Sequence, residues 1–236
     1  MANKGYQLTN DSGGISATTN NYAEMYIYEG GTATTIGIVN IYHLIQNFST
    51  GLVNNWTFDA GSNGAISAFA DYGGTVAGTV KATDAAHGLI TGEVVTISGT
   101  TNYNGVFVVT KVDDDNFYFT DTWVADDATG NWYQGSSLKA GTGSAGLYGL
   151  LWNASFTSAG NNKVYQLELF QNATEIDKSA AEHKIATGTD IQAMASPMRL
   201  VQIADGDYIT LAVECITDAT NLTMVHAGVS LVRLGL

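Results

Sequence analysis

From Leu147 to Leu234 the chain alternates apolar and polar residues, and Gly, Asn, Asp and Lys interrupt the alternation. In the first segment Tyr148, Leu150, Trp152, Ala154 and Phe156 share a face. In the second Tyr165, Leu167 and Leu169 do so, and later Ile209, Leu211, Val213 and Cys215. In the last segment the aligned set is Val225, Ala227, Val229 and Leu231. Period-two alternation is the mark of a strand with one buried face. Several such strands joined by short turns predict a β-sandwich.

The composition agrees with strands and disagrees with helices. The 236 residues include 27 Gly, one Pro (Pro197) and only 13% charged residues. Helices draw on Glu, Lys, Arg and Leu. The formal net charge is -13, and Arg199 and Arg233 are the only arginines. A phosphate-binding surface needs clustered Lys or Arg, so nucleic acid is excluded as a direct partner. Acidity keeps free copies soluble. Cys215 stands alone on a predicted core face and reads as a small buried hydrophobe. Met1–Gly5 carries no apolar stretch of the signal-peptide kind, and no run reaches the ~20 apolar residues of a membrane span. No membrane insertion is expected.

Taken in order, residues 1–21 are polar and read as an N-terminal arm. Tyr22–Tyr28 and Thr35–Ile45 are expected strands, and the Gly30–Gly31 pair between them signals a hairpin. Trp56–Phe58 and Ala65–Ala70 follow. Gly73–Gly74 then marks a change of character. Residues 75–134 hold four or five short strands and an excess of Asp, enough for a small barrel. Gly135 and the Gly-rich stretch after it lead back to the alternating segments. An inserted domain at 75–134, with glycines at both junctions, accounts for this order.

Two resemblances enter on particular residues. Gly146–Phe156, Leu167–Thr174, Ala204–Leu211 and Ala227–Leu234 resemble the jelly-roll domains of the complement-component/tumour-necrosis-factor type found in bacteriophage virion proteins. Asn172-Ala173 stands where that group usually has Asn-Gly. The resemblance covers about ninety residues, and it implies a homotrimer with a structural or binding role. Ala86–Ser98, Tyr103–Val109 and Val112–Phe119 resemble a small β domain that recurs in phage structural proteins. That domain is similar to a half-domain of ubiquitin-activating enzymes, as a fold used for decoration and not for its chemistry. The expected fold is therefore all-β: a jelly-roll β-sandwich from 22–74 and 135–236, an inserted small β-barrel at 75–134, and the arm.

Candidate chemistry is sparse. His43, His87, His183 and His226 are scattered, whereas a zinc site needs at least three converging ligands. His87, before Gly88, reads as a backbone cap. Asp113–Asn116 and Asp205–Asp207 read as turns, because Asp and Asn side chains bond local backbone. The calcium loop with its terminal Glu is absent. Gly141–Gly146 lacks the nucleophile-elbow spacing. Glu168, Glu175, Glu182 and Glu214 are the carboxylates from which a glycosidase pair would come, and nothing singles out two. No catalytic residue, metal ligand or cofactor is assigned. Trp152 reads as core. Trp132 and Tyr133 are the candidate exposed or interface aromatics.

These readings converge on a phage virion protein and not an enzyme. The expected role is a trimeric capsid cement or decoration protein, partnered by itself and by the major capsid protein of the same phage. It would be made in the bacterial host cytoplasm and carried on the capsid exterior. The alternative is the receptor-binding tip of a tail fibre or head fibre, partnered by fibre components and recognising a cell-surface glycan. No shaft of heptads or repeats is present, which favours the first.

Overall fold

The computed structural model describes residues 21–127 and 129–234. These residues form an all-β protein of three antiparallel sheets. The strands begin with β1 (Tyr22–Ile27), β2 (Ala33–Thr34), β3 (His43–Leu44), β4 (Ser49–Asn54) and β5 (Trp56–Asp59). Next come β6 (Asn63–Ile66), β7 (Ala68–Asp71), β8 (Thr79–Thr83), β9 (Val94–Ser98), β10 (Gly105–Lys111), β11 (Asn116–Thr120) and β12 (Gly130–Gln134). β13 (Ser137–Ala140), β14 (Gly146–Ser158), β15 (Lys163–Gln171), β16 (Thr174–Glu175) and β17 (Ala181–Ile185) follow. The last are β18 (Gln192–Ala195), β19 (Arg199–Ile203), β20 (Tyr208–Cys215) and β21 (Leu222–Arg233).

The first sheet runs β18-β14-β21-β1-β4, with β19 also on β14 and β2 also on β21. The second runs β16-β15-β20-β13-β5, with β17 on β15 and β3 on β20. Their inner faces share one core. Tyr148, Leu150, Trp152, Ala154 and Phe156 come from β14, and Met25, Val229 and Leu231 from its neighbours. Tyr165, Leu167, Leu169, Ile209, Leu211, Val213 and Cys215 come from the opposite sheet. Each large side chain buried this way contributes roughly 1.5–3 kcal/mol. Two polar groups tie the layers without stranding a donor. Trp152 Nε1 donates to Ser179 O (2.9 Å), and Tyr165 Oη meets Ser158 Oγ (2.7 Å).

The third sheet runs β6-β12-β9-β10-β11-β8-β7. Its edge strands β6 and β7 are consecutive, with only Ser67 between them, so the sheet curls into a nearly closed barrel. It has a core of its own, which includes Phe69, Tyr103, Phe117, Phe119 and Trp132. Tyr103 Oη anchors the loop after β11: it donates to Ala125 O and accepts from Val124 N and Ala125 N. A small apolar layer of Leu44, Val94, Phe170 and Ala212, with Tyr42 and Val106 against it, joins this barrel to the outer side of the second sheet. Thr96 Oγ1 completes the joint by accepting from Leu44 N (3.0 Å) and donating to Tyr42 O (3.3 Å).

Strand pairing departs from the sequence expectation at four places. Gly30–Gly31 does not close a hairpin, because β1 and β2 both pair with β21. The chain makes an excursion and returns to the same partner, with Glu29 at φ 50 and Gly30 N donating to Val225 O (2.9 Å). A Cβ on Gly30 would lie 2.7 Å from Met224 O, so this approach requires glycine. Thr35–Ile45 is mostly irregular, and only His43–Leu44 pairs. A bulge where Ser155 and Phe156 oppose His226 and Met224 moves Met224 into the core in place of Val225. Finally, β6 and β7 pair with β12 and β8, so Asn63–Asp71 belongs with the third sheet and not with the flanking strands. The expected arm lies outside the described residues apart from Asn21, which is buried and donates from Nδ2 to Gly143 O.

Candidate interface face and buried acidic groups

Alternation fixes what the first sheet turns outward. The residues between the core positions of β14 are Leu147, Gly149, Leu151, Asn153 and Ser155. Register places Leu200, Gly149, Val232 and Tyr22 in one row across β19, β14, β21 and β1. Leu151, Ser230 and Glu24 form the next row, and Asn153, Gly228 and Tyr26 the one after. Met198 Sδ and Leu234 Cδ1 lie over Gly149, 2.8 and 3.4 Å from where its Cβ would be. The corner made by β14, β19 and the end of β21 is therefore apolar: Leu147, Leu151, Met198, Leu200, Val232 and Leu234 are all exposed there. Leu200 is 61% and Met198 57% exposed.

The other edge of the same outward face carries a second apolar group. Tyr26, Tyr28 and Leu52 are exposed at β1, the turn after it and β4, with Leu52 at 71% and Tyr28 at 70%. A register shift between Ala23 and Met25 places Gly51 and Leu52 opposite Glu24, which pushes Leu52 out at the sheet edge. The Glu24 side chain lies over Gly51. Between the two groups the face holds Asn153, Ser155, His226, Gly228 and Ser230. His226 packs edge-on against Tyr28 (5.3 Å) and its Nδ1 is 3.3 Å from Ser155 Oγ. An open cleft of about 530 Å³ borders the first corner, between Arg199–Gln202 and the Gln171–Asp177 hairpin. Contiguous exposed apolar surface of this kind marks an interaction site in soluble proteins.

The second sheet turns carboxylates outward. Gln166 pairs with both Glu214 and Glu182, and Glu168 lies one step along the same face. Burial raises Glu168 and Glu214 above the ordinary carboxylate range, and neighbouring Glu175 adds to both. Glu168 accepts from Tyr42 Oη (2.8 Å) and lies near Ser179 Oγ (3.5 Å). Burial, reinforced by Glu168, raises the Tyr42 phenol as well. Glu93, at the barrel joint, is also raised by burial. Both Glu168 oxygens thus face hydroxyls of the fold, which is a structural arrangement. His43 is buried, and neither ring nitrogen has a hydrogen-bond partner. Burial holds it down to about 4, and the nearby Ile38 backbone offsets this slightly without completing a bond.

The sequence candidates separate on this structure. Trp132 is 1% exposed, in the barrel core, with Nε1 donating to Asp84 Oδ2 (2.7 Å). It is no surface aromatic. Its partner Asp84 is remote in sequence, which is why local pattern did not reveal it. Tyr133 is half-buried beside a small cavity of about 60 Å³ that His43 and Gln46 also line. His87 caps backbone as expected, its Nδ1 accepting from Leu89 N (2.9 Å). Asp113 closes its turn by accepting from Asp115 N and Asn116 Nδ2. No three metal-ligating side chains gather among the described residues. Leu52 lies in a bulged strand, Leu200 in a short one and Met198 in the connection before it, so no alternation in sequence assigns them a face.

The fold defines an all-β protein whose most distinctive surface is an exposed apolar sheet face. Comparison with protein-family models and with curated proteins gives no match for this chain.

Proposed function

We propose that the chain is a structural protein of a bacteriophage virion, a homotrimeric cement or decoration protein of the capsid exterior. The observation that carries this reading is the outward face of the first sheet. A chain of net charge -13 leaves Leu147, Leu151, Met198, Leu200, Val232 and Leu234 exposed together. Self-association buries such a face, and a closed ring of copies satisfies all of them at once.

The jelly-roll reading is supported by the strand order. From β13 onward, strands pass to and fro between the first and second sheets, and the late strand β21 lies between β14 and the early strand β1. Antiparallel neighbours that distant in sequence are the Greek-key pattern of jelly rolls. An inserted barrel is supported by its junctions. The position of a Cβ on Gly61 is 2.9 Å from Gly135 O, so the ends of the excursion lie side by side.

Adding purified protein to capsids that lack it, and separately to host cells, tests the proposed role. Saturable binding to capsids is expected. Binding to cells alone would replace the cement role with the receptor-binding one.

A further inference from the structure

The short strand β3 is where the barrel and the second sheet meet. It pairs with β20 of that sheet and lies against β9 and β12 of the barrel. Its two residues differ. Leu44 enters the apolar layer of the joint, and its N–H donates to Thr96 Oγ1 of the barrel. His43 is buried, and neither ring nitrogen has a hydrogen-bond partner. Buried polar groups are nearly always paired, so an imidazole left in this state calls for an explanation. A Cβ on Gly37 would stand 3.1 Å from Ser98 Cβ of the barrel and 3.6 Å from His43 Cε1. His43 and the barrel thus share the space over Gly37. A cavity of about 60 Å³ lies alongside, and His43, Gln46 and Tyr133 are among the residues that line it.

We infer that His43 makes this joint acid-sensitive: protonation of its ring loosens the barrel from the second sheet while each keeps its own core. A protonated ring would carry a charge for which its surroundings offer no counter-ion. Around it stand Gly37, Ile38, Ser98, its strand partner Val213 and the cavity-lining Thr32–Thr35, Gln46, Asn47 and Tyr133. Tyr133 is the only titratable side chain in that set, and none is a carboxylate. Burial accordingly holds the ring down to about 4. Admitting water relieves the charge, and the adjoining cavity means that a small displacement suffices. The barrel and the sandwich have separate cores, and a small layer around Leu44 and Phe170 joins them, so the joint opens without unfolding either. One group in the joint opposes this response. Glu93 is buried with a raised carboxyl, beside Asp59, Gln134 and Lys139, so its proton favours the closed joint as pH falls.

The test follows the Leu44 amide, which bridges the joint to Thr96, by NMR-detected hydrogen exchange on the full chain between pH 7 and about 4.5. Glu93→Gln removes the opposing titration and keeps an acceptor for Ile90 N. In that variant Leu44 protection, corrected for the intrinsic pH dependence of exchange, is expected to fall roughly tenfold or more. The fall is expected to track the titration of the His43 ring, while amides of β14 and β11 keep their protection. Adding His43→Leu is expected to abolish it. Unchanged Leu44 protection, a fall that survives His43→Leu, or an equal loss in β14 and β11 would overturn the inference. Should either variant fail to fold, the native chain decides. There a smaller fall at Leu44 that follows the His43 ring is expected, and its absence would overturn the inference.

Discussion

Met198 Sδ lies over the outward side of Gly149, 2.8 Å from where a Cβ would stand. The absent side chain lets Met198 and Leu234 lie flat, and this flatness makes the corner a surface against which a neighbour can pack. Gly149→Val suits an extended strand but lifts Met198 off the sheet. Association is expected to weaken, while unfolding of the monomer changes by less than about 1 kcal/mol. Analytical ultracentrifugation beside thermal unfolding separates the two. Equal losses in both would make Gly149 a folding residue only.

Trp132 and Asp84 hold the barrel from the inside. Gly64 makes room for them, since its Cβ would fall 2.1 Å from Asp84 Oδ2. Asp84→Ala leaves the buried indole N–H without an acceptor and is expected to cost about 1–3 kcal/mol. Trp132→Ala is expected to cost about 3–5 kcal/mol. Chemical denaturation followed by tryptophan fluorescence of the Asp84 variant measures the first. A loss within error would show that the bond is dispensable.

The boundary of the barrel can be tested by excision. Joining Gly61 to Gly135 removes the third sheet whole, and the ends already touch. This variant is expected to fold, though less soluble, because Leu44, Phe170 and Ala212 lose their cover. Joining Gly74 to Gly135 instead leaves β6 and β7 without β12 and β8. Soluble expression and circular dichroism compare them. Folding of the second variant but not the first would refute this boundary.

The response to pH follows from buried groups of opposite sign. His43 is held at about 4 against an ordinary 6.5. Between those values the unfolded chain binds more protons than the folded one, so stability falls as pH drops from 6.5 to about 4. The full effect is on the order of 3 kcal/mol. Glu93, Glu168 and Glu214 are raised, so the folded chain keeps their protons longer. Their contribution is complete below the ordinary carboxylate value and is lost as pH rises through the folded one. His43→Leu is expected to flatten the acid limb of Tm against pH. Glu168→Gln, which still accepts from Tyr42, is expected to raise Tm at pH 7. An unchanged acid limb in the first variant, or a lower Tm in the second, would contradict the assignment.

The inner faces of the long strands were legible from sequence because Tyr148 to Phe156 and Ile209 to Cys215 keep strict alternation. Breaks in that regularity were not. The bulge that exchanges Val225 for Met224 leaves no local trace, since both residues are apolar. Gly73–Gly74 reads as a boundary but is the turn between β7 and β8, because a glycine pair serves either purpose. Asn63–Asp71 reads with its sequence neighbours, although its partners lie in β12 and β8. The apolar corner joins β14, β19 and β21, and only strand pairing brings Leu151, Leu200 and Val232 together.

The most direct measurement is the mass of the native chain by light scattering at micromolar concentration, beside Leu200→Asp at the same concentration. The native chain is expected at three times the chain mass, and the variant is expected to shift toward the monomer while keeping its circular dichroism. A native chain at monomer mass, or a Leu200→Asp variant that remains fully trimeric, would contradict the assignment of this sheet face as the assembly surface.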